Sequence, residues 1–384
     1  MSANPAPGSS DFQQPAPSTA VSDTEDPRLW AAEGRKQLRE GRRTGAHEAL
    51  GAAEHAFEQV LRLKPDSEIA WGGMAYARLG RHDFEGALTA TREAVRRDPN
   101  SQSLLALLGD VHFGLGNYME AENAFRRLAD EDINLQSLAR LALVLESKGD
   151  FEDAEAMMAD ALEAGYLLKA SASDLAWCHS MIGEIAYQHG DLHKAEAGFR
   201  EALVLDPGLP FAVHGLAEIH TDRGDIKLAA EMMMALVEWL PEPGYLIQTG
   251  DLMLKLGKEE EALTYFHMAE VDMLGDLNAG KFGHLRDLAE YWMAHGGDLA
   301  RAKELALKDL KHVRHDMGAY ETAAWACHLN GDTDQATALI TEALRQGGGE
   351  VRMFERAADI FAQSGNRLRA RRCADLAGMR KAVN

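Results

Sequence analysis

Residues 183–207 read GEIAYQHGDLHKAEAGFREALVLDP. Two short helical patterns meet here at Gly190-Asp191, and the second stops at Pro207. Ala195, Phe199 and Ala202 recur at i, i+4 and i+7, the spacing of one face of a helix. A Gly-Asp pair punctuates such a pattern as a turn, and proline cannot continue it. The layout repeats along the chain. A glycine followed five residues later by alanine marks Gly116–Ala121, Gly149–Ala154, Gly190–Ala195, Gly224–Ala229, Gly257–Ala262, Gly331–Ala336 and Gly365–Ala370. With weaker copies, the alanines stand at 53, 87, 121, 154, 195, 229, 262, 302, 336 and 370. Seven of the nine spacings are 33 or 34 residues; the exceptions are 41 and 40.

Each period predicts a pair of helices. Before the glycine, Leu105, Leu108, Gly109 and His112 share a helical face, as do Leu138, Leu141, Ala142 and Leu145. After it, Ala121, Phe125 and Leu128 do the same. No β-branched alternating run predicts a strand. The prolines agree. Pro65, Pro99, Pro207 and Pro241 each come twelve residues after an anchoring alanine, where the second helix should stop. Pro210 and Pro243 fall where the next helix should start, a position that suits proline.

These residues resemble the tetratricopeptide repeat, a 34-residue helix-turn-helix unit that prefers Trp, Leu, Gly, Tyr, Ala, Phe, Ala and Pro at slots 4, 7, 8, 11, 20, 24, 27 and 32. One unit here places Leu105, Leu108, Gly109, His112, Ala121, Phe125, Leu128 and Ile133 at those slots. Another places Val213, Leu216, Ala217, His220, Ala229, Met233, Leu236 and Pro241. The resemblance implies an all-α fold, a right-handed α-solenoid of about ten helix-turn-helix repeats. Small residues at slots 8, 20 and 27 let helix backbones approach closely, so a charge introduced at Ala121 or Ala195 would enter a packed seam. The first unit (Trp30, Gly34, Ala53, Phe57, Val60, Pro65) carries extra residues before its alanine. Glu163–Asp174 and Asp272–Phe282 lengthen two connections, which divides the solenoid into arrays at 28–165, 166–282 and 283–384. The final helix, Arg367 to Val383, is basic and should act as the polar cap a solenoid needs. Residues 1–27 hold five of the eleven prolines, four acidic residues and no Lys or Arg, which predicts a disordered tail.

The 384 residues carry 40 Lys+Arg against 61 Asp+Glu, a net charge of -21. That balance argues against a protein whose task is to neutralise nucleic-acid phosphates or to dock on anionic membranes. The ends differ from the middle. Arg35, Lys36, Arg39, Arg42 and Arg43 cluster near one end, and Arg367, Arg369, Arg371 and Arg372 near the other. Ends of opposite sign to the middle would support self-association or contact with acidic proteins, although solvated helix faces are the simpler account. The three cysteines, Cys178, Cys327 and Cys373, form no CxxC pair and imply no disulfide framework. No apolar run is long enough for membrane insertion, and the N-terminus has no signal-like stretch; a reducing, cytoplasmic setting is expected.

Helical residues advance by about 100° each, so slots 2, 5, 9 and 12 share the face opposite slots 4, 7, 8 and 11. In proteins of the resembled family that face of the first helix lines a concave groove where peptides bind. Slot 9 holds Tyr76, Asp110, Leu143, Glu184, Glu218, Asp251, Tyr291, Trp325 and Asp359. Slot 5 adds Ser180, His214, Asp287, Glu321 and Glu355; slots 2 and 12 add Trp177, Phe211, Phe113, Tyr187, Glu146 and His328. Tyr76, Asp110, Glu184, His214, Glu218, Asp251, Tyr291, Trp325 and Asp359 are therefore the predicted peptide-binding residues. Their acidity and aromaticity imply a basic or amphipathic ligand. The absence of Lys and Asn at slots 5 and 9 argues against the acidic C-terminal tails held by chaperone-binding members of the family.

Chemistry finds little purchase. Gly275–Phe282 matches GxxxxGK, but Phe282 replaces the Ser or Thr that would hold magnesium, and no strand precedes it. His312 with His315, and His214 with Glu218 and Asp222, have helical spacing, yet no dense ligand cluster exists. His112 and His220 occupy the usually aromatic slot 11 and read as core. No nucleophile elbow appears. A non-enzymatic scaffold or adaptor without a cofactor is expected. The alternative is a regulatory or assembly subunit of an enzyme, secretion or envelope complex, using its convex face and basic end.

Overall fold

The computed structural model describes residues 25–44, 47–81, 83–278, 283–347 and 351–383, without the side chains of residues 42–44, 47 and 379–383. Residues 1–24 of the expected tail, 279–282 of the GxxxxGK stretch, and the side chains of Arg42 and Arg43 lie outside that description. Among the described residues every regular element is an α-helix. The helices come in ten pairs. The first five are α1 (Pro27–Thr44) with α2 (His47–Leu63), α3 (Glu68–Gly80) with α4 (Phe84–Arg97), α5 (Gln102–Gly114) with α6 (Tyr118–Glu131), α7 (Leu135–Lys148) with α8 (Phe151–Leu167), and α9 (Ala172–Gln188) with α10 (Leu192–Leu205). The second five are α11 (Pro210–Asp222) with α12 (Ile226–Trp239), α13 (Pro243–Lys255) with α14 (Glu259–Asn278), α15 (Leu285–Ala294) with α16 (Leu299–His312), α17 (Met317–Leu329) with α18 (Thr333–Arg345), and α19 (Val351–Gln363) with α20 (Arg367–Val383).

The turns arise from their residues. Gly190 and Gly224 have φ of 87° and 83°, a left-handed conformation that only glycine adopts without strain, and it reverses the chain at the end of α9 and α11. Asp191 then caps α10, its carboxylate accepting the Lys194 amide at 3.0 Å. Pro210 and Pro243 are the first residues of α11 and α13, where the missing N–H has no helical partner to lose. Pro27 plays the same part for α1, so the first helix begins within the segment assigned to the tail.

Among the described residues both insertions lengthen helices. α8 has 17 residues and α14 has 20, against 14 in α10 and α12. Neither extension contains a proline to stop it. The additional residues of the first unit likewise extend α1, which has 18 residues against 13 in α3.

Nine of the ten anchoring alanines have 0% exposure; Ala370, on α20, is half-buried. At some joints a phenylalanine locks one pair to the next. Phe199 sits against Gly183 of its own pair and Gly215 of the pair after it; a Cβ on Gly215 would lie 2.3 Å from its ring. Phe57 is held the same way between Gly34 and Gly73. Burial of such apolar surface, at roughly 25 cal/mol per Å², is the main force holding neighbouring pairs together.

The first helices of successive pairs touch one another (α1–α3, α3–α5, α5–α7, α9–α11, α13–α15, α15–α17, α17–α19), while the second helices do not approach to the same degree. The first helices therefore lie on the shorter, inner circumference of the solenoid. The coil also meets itself. The α5–α6 turn seats on the α16–α17 connection so closely that a Cβ on Gly116 would lie 2.7 Å from the His315 carbonyl oxygen and the Asp316 Cα. Tyr118 lies beside Asp316 and Arg286. One repeat on, a Cβ on Gly347 would lie 3.3 Å from the Lys148 carbonyl oxygen. One apolar cluster accordingly contains both Leu115 and Val313.

Candidate peptide-binding groove

The nine predicted binding residues all lie on first helices, from Tyr76 on α3 to Asp359 on α19. Eight are half-buried and Asp359 is exposed. They fall into three electrostatic settings.

At the N-terminal end, Asp110 on α5 is clamped by Arg140 of the next pair, with Nε at 2.8 Å from Oδ1 and Nη2 at 3.2 Å from Oδ2. Tyr76 stands on α3 near the same guanidinium.

In the middle, the carboxylates meet uncharged or titratable partners. Tyr187 on α9 donates its hydroxyl to Asp222 on α11 at 2.8 Å. Gln188 donates to Glu184 at 2.9 Å, and His214 Nδ1 lies 3.7 Å from Glu218. The His214 ring packs against Tyr245 with centroids 5.5 Å apart. Burial lowers the His214 pKa, so the imidazole is neutral at neutral pH. Burial first, and then the charges of Glu218, Asp222 and Glu184, push the Tyr187 pKa up. The field at that hydroxyl is thus negative, and three of the predicted site residues, Glu184, His214 and Glu218, converge on one spot. Next along the groove, His295 Nε2 lies 2.9 Å from Asp251 and its ring stacks on Tyr291.

At the C-terminal end, arginine dominates again. Arg356 on α19 donates to both oxygens of Glu290 at 2.9 and 2.7 Å and to Glu321 at 3.2 Å. Burial raises the Glu290 pKa, but Arg356 outweighs it and holds the carboxyl below its usual range. The Arg356 guanidinium also lies over the Trp325 ring, 5.3 Å from its centroid, and the His328 ring stacks on the same indole with centroids 4.8 Å apart. Trp325 is therefore a packed aromatic here.

Slot 5 does not line the groove throughout. Ser180 and Glu321 are buried, because neighbouring first helices press together there. The residues missed by the sequence pattern sit at slot 6: Arg140, Gln248 and Arg356 reach back to slots 5, 8 or 9 of earlier units. The signal was present, since each stands fourteen residues before its anchoring alanine. His112 is buried against Asn117, with Nδ1 3.3 Å from the amide nitrogen. Among the described residues no group of three His, Cys, Asp or Glu is placed to hold a metal ion. Burial pushes the Cys178 and Cys327 thiols up to about 12 and about 11, leaving both protonated at neutral pH. Among the described residues no helix is long and apolar enough to cross a membrane.

Comparison with known proteins agrees with this architecture. The solved structure of the human IFIT1 dimer with PPP-AAAA is similar over 83% of this chain and 72% of that one, with TM-score 0.52 and 18% identity. A stretch of 95 residues, 24% of the chain, is 28% identical to the small glutamine-rich tetratricopeptide repeat-containing protein 2 of Mycosarcoma maydis and spans only 26% of that relative's length. Residues 32–102, 73–135, 106–165 and 139–210 each match the family described as Tetratricopeptide repeat. With those matches, the ten stacked helix pairs and their buried alanines, the chain belongs to the tetratricopeptide repeat family.

Proposed function

We propose that this protein is a scaffold or adaptor that holds a basic, amphipathic peptide or protein segment on the inner face formed by α9, α11, α13 and α15. The observation that carries the reading is the Tyr187 hydroxyl, whose surroundings are made negative by Glu184, Glu218 and Asp222 from two adjacent first helices. A lysine or arginine side chain complements the negative field at this spot. Tyr245, Tyr291 and Phe211 nearby give apolar surface for the rest of the segment. Helices already folded spare the receptor most of the ordering cost, so the ligand bears the entropy loss. The IFIT1 neighbour carries PPP-AAAA, but a phosphate-bearing ligand would face carboxylates at this place.

The test is fluorescence anisotropy with a labelled amphipathic peptide of alternating lysine and leucine, against a glutamate-leucine peptide of equal length. The basic peptide should bind, and its affinity should fall steeply between about 0.05 and 0.5 M salt as the Debye length shortens. Equal binding of the acidic peptide, or binding indifferent to salt, would refute the reading.

A further inference from the structure

Within the chain, a helix-helix turn of an early pair seats on the connection between two later pairs. Gly116-Asn117-Tyr118 meets His315-Asp316 in this way, and Lys148 meets Gly347. Both edges continue beyond the contact. The connection edge of the early pairs exposes Ile133 (68%), Leu167 (79%) and Val204 (75%). The turn edge of the second five pairs exposes Leu228, Leu299 and Leu368, the last at 82%. These are large apolar side chains on the two kinds of edge that meet within the same molecule at Gly116 and His315, a contact at whose rim Met119 keeps 69% exposure.

We propose that a second copy of this chain covers them: the final turn of one copy, Gly365-Asn366-Arg367-Leu368, docks head to tail on the Asp130–Asn134 connection of another. This goes beyond the groove reading and does not depend on it.

The register comes from the repeat. Gly365-Asn366 stands five and four residues before Ala370, as Gly116-Asn117 stands before Ala121, and Leu368 takes the place of Met119. The two glycines share a left-handed backbone, with φ of 79° and 77°. On the receiving side, Ile133-Asn134 stands 21 and 20 residues before Ala154, as His315-Asp316 stands before Ala336. Asn134 and Asp316 both cap the next helix, accepting the Ser137 and Ala319 amides. The donor turn and its seat thus occupy the same repeat positions as the pair already in contact within the chain, and the turn shares its left-handed glycine.

Charge favours the same match. Arg367, Arg369, Arg371 and Arg372 are all exposed at the start of α20, and Asp130, Glu131 and Asp132 are exposed at the seat. One repeat back on both edges, exposed Asp334 comes opposite exposed Arg96. Because the two surfaces differ, the contact is heterologous and adds copies in a line or a ring.

The test uses sedimentation velocity of the full chain at increasing concentration in about 50 mM salt, where charge attraction is least screened. The wild type should form species larger than the monomer that recede as salt rises. Leu368→Glu and Ile133→Glu should each weaken association by roughly tenfold or more. Both positions are exposed, so circular dichroism melts should match the wild type. Mixing the two variants in equal amounts is the decisive arm. Each retains one intact surface, so the mixture should form dimers that grow no further. A charge-reversed pair, Asp130→Arg/Asp132→Arg mixed with Arg367→Glu/Arg371→Glu, should also associate. A wild type that stays monomeric at every concentration, or variants whose mixture does not pair, would overturn the proposal.

Discussion

The middle and the C-terminal stretch of the inner face carry similar numbers of carboxylates and put them to different use. Around α15, α17 and α19, Glu290 and Glu321 close on Arg356, which also covers Trp325. Around α9, α11 and α13, Asp222 meets a tyrosine and Asp251 a histidine. An arginine-locked carboxylate holds helices together and offers a ligand little net charge. A carboxylate held by a phenol or an imidazole keeps its field. Acidity counted along a sequence is therefore not acidity presented by a surface.

The largest expected effect breaks the locked end. Arg356→Ala takes from half-buried Glu290 its bidentate arginine, leaves buried Glu321 to Arg352, and should destabilise the fold by about 3 kcal/mol in urea unfolding. A loss below about 1 kcal/mol would mean that this end is not locked. Behind the same stretch, Asp309 on α16 is fully buried, and neither carboxylate oxygen accepts a hydrogen bond among the described residues. Desolvation pushes its pKa up to about 6, against the pull of Arg314 and Arg286. The native state then binds this proton more tightly than the unfolded chain. The contribution of this one group is most favourable below about pH 4, declines as pH rises towards 6, and carries the full penalty at pH 7. Asp309→Asn should stabilise by about 2–3 kcal/mol at pH 7 and by much less at pH 4, measured by thermal melts at both values.

In the middle the effects should move from stability to binding. Glu218→Gln with Asp251→Asn should change stability by no more than about 0.5 kcal/mol. The same pair should weaken the lysine-leucine peptide roughly tenfold in anisotropy. Unchanged affinity would place the ligand elsewhere. Smallest of all is Arg140→Ala, which frees the half-buried Asp110 and should cost about 0.5–1 kcal/mol. It should slightly improve binding of the same peptide by extending the negative stretch, a gain that titration at low salt can read.

The alanine spacing, the Gly-Asp turns and the proline positions made the helix pairs legible, because each is a local steric rule that tertiary packing does not override. The places where the pattern stretched were legible only as insertions. Whether Glu163–Leu167 continues α8 or loops out depends on how α9 packs against it, and the structure continues the helix. The predicted site residues could be placed on the right helices by counting, but their partners could not. Arg140 and Arg356 act across repeats, 30 and 66 residues from Asp110 and Glu290, and only the packing of first helix on first helix brings them there. Slot 5 misled for the same reason: at Ser180 and Glu321 the neighbouring helix closes over a position that a single helical wheel leaves open.

The seat of Gly116 on His315-Asp316 also has a mechanical side. An open coil lengthens by small rotations shared among all its joints, and its hollow narrows as it stretches. A coil whose successive windings bear on one another is braced against such extension until that bearing lifts. Any bulky side chain at position 116 would wedge the windings apart and let the whole molecule breathe as a spring.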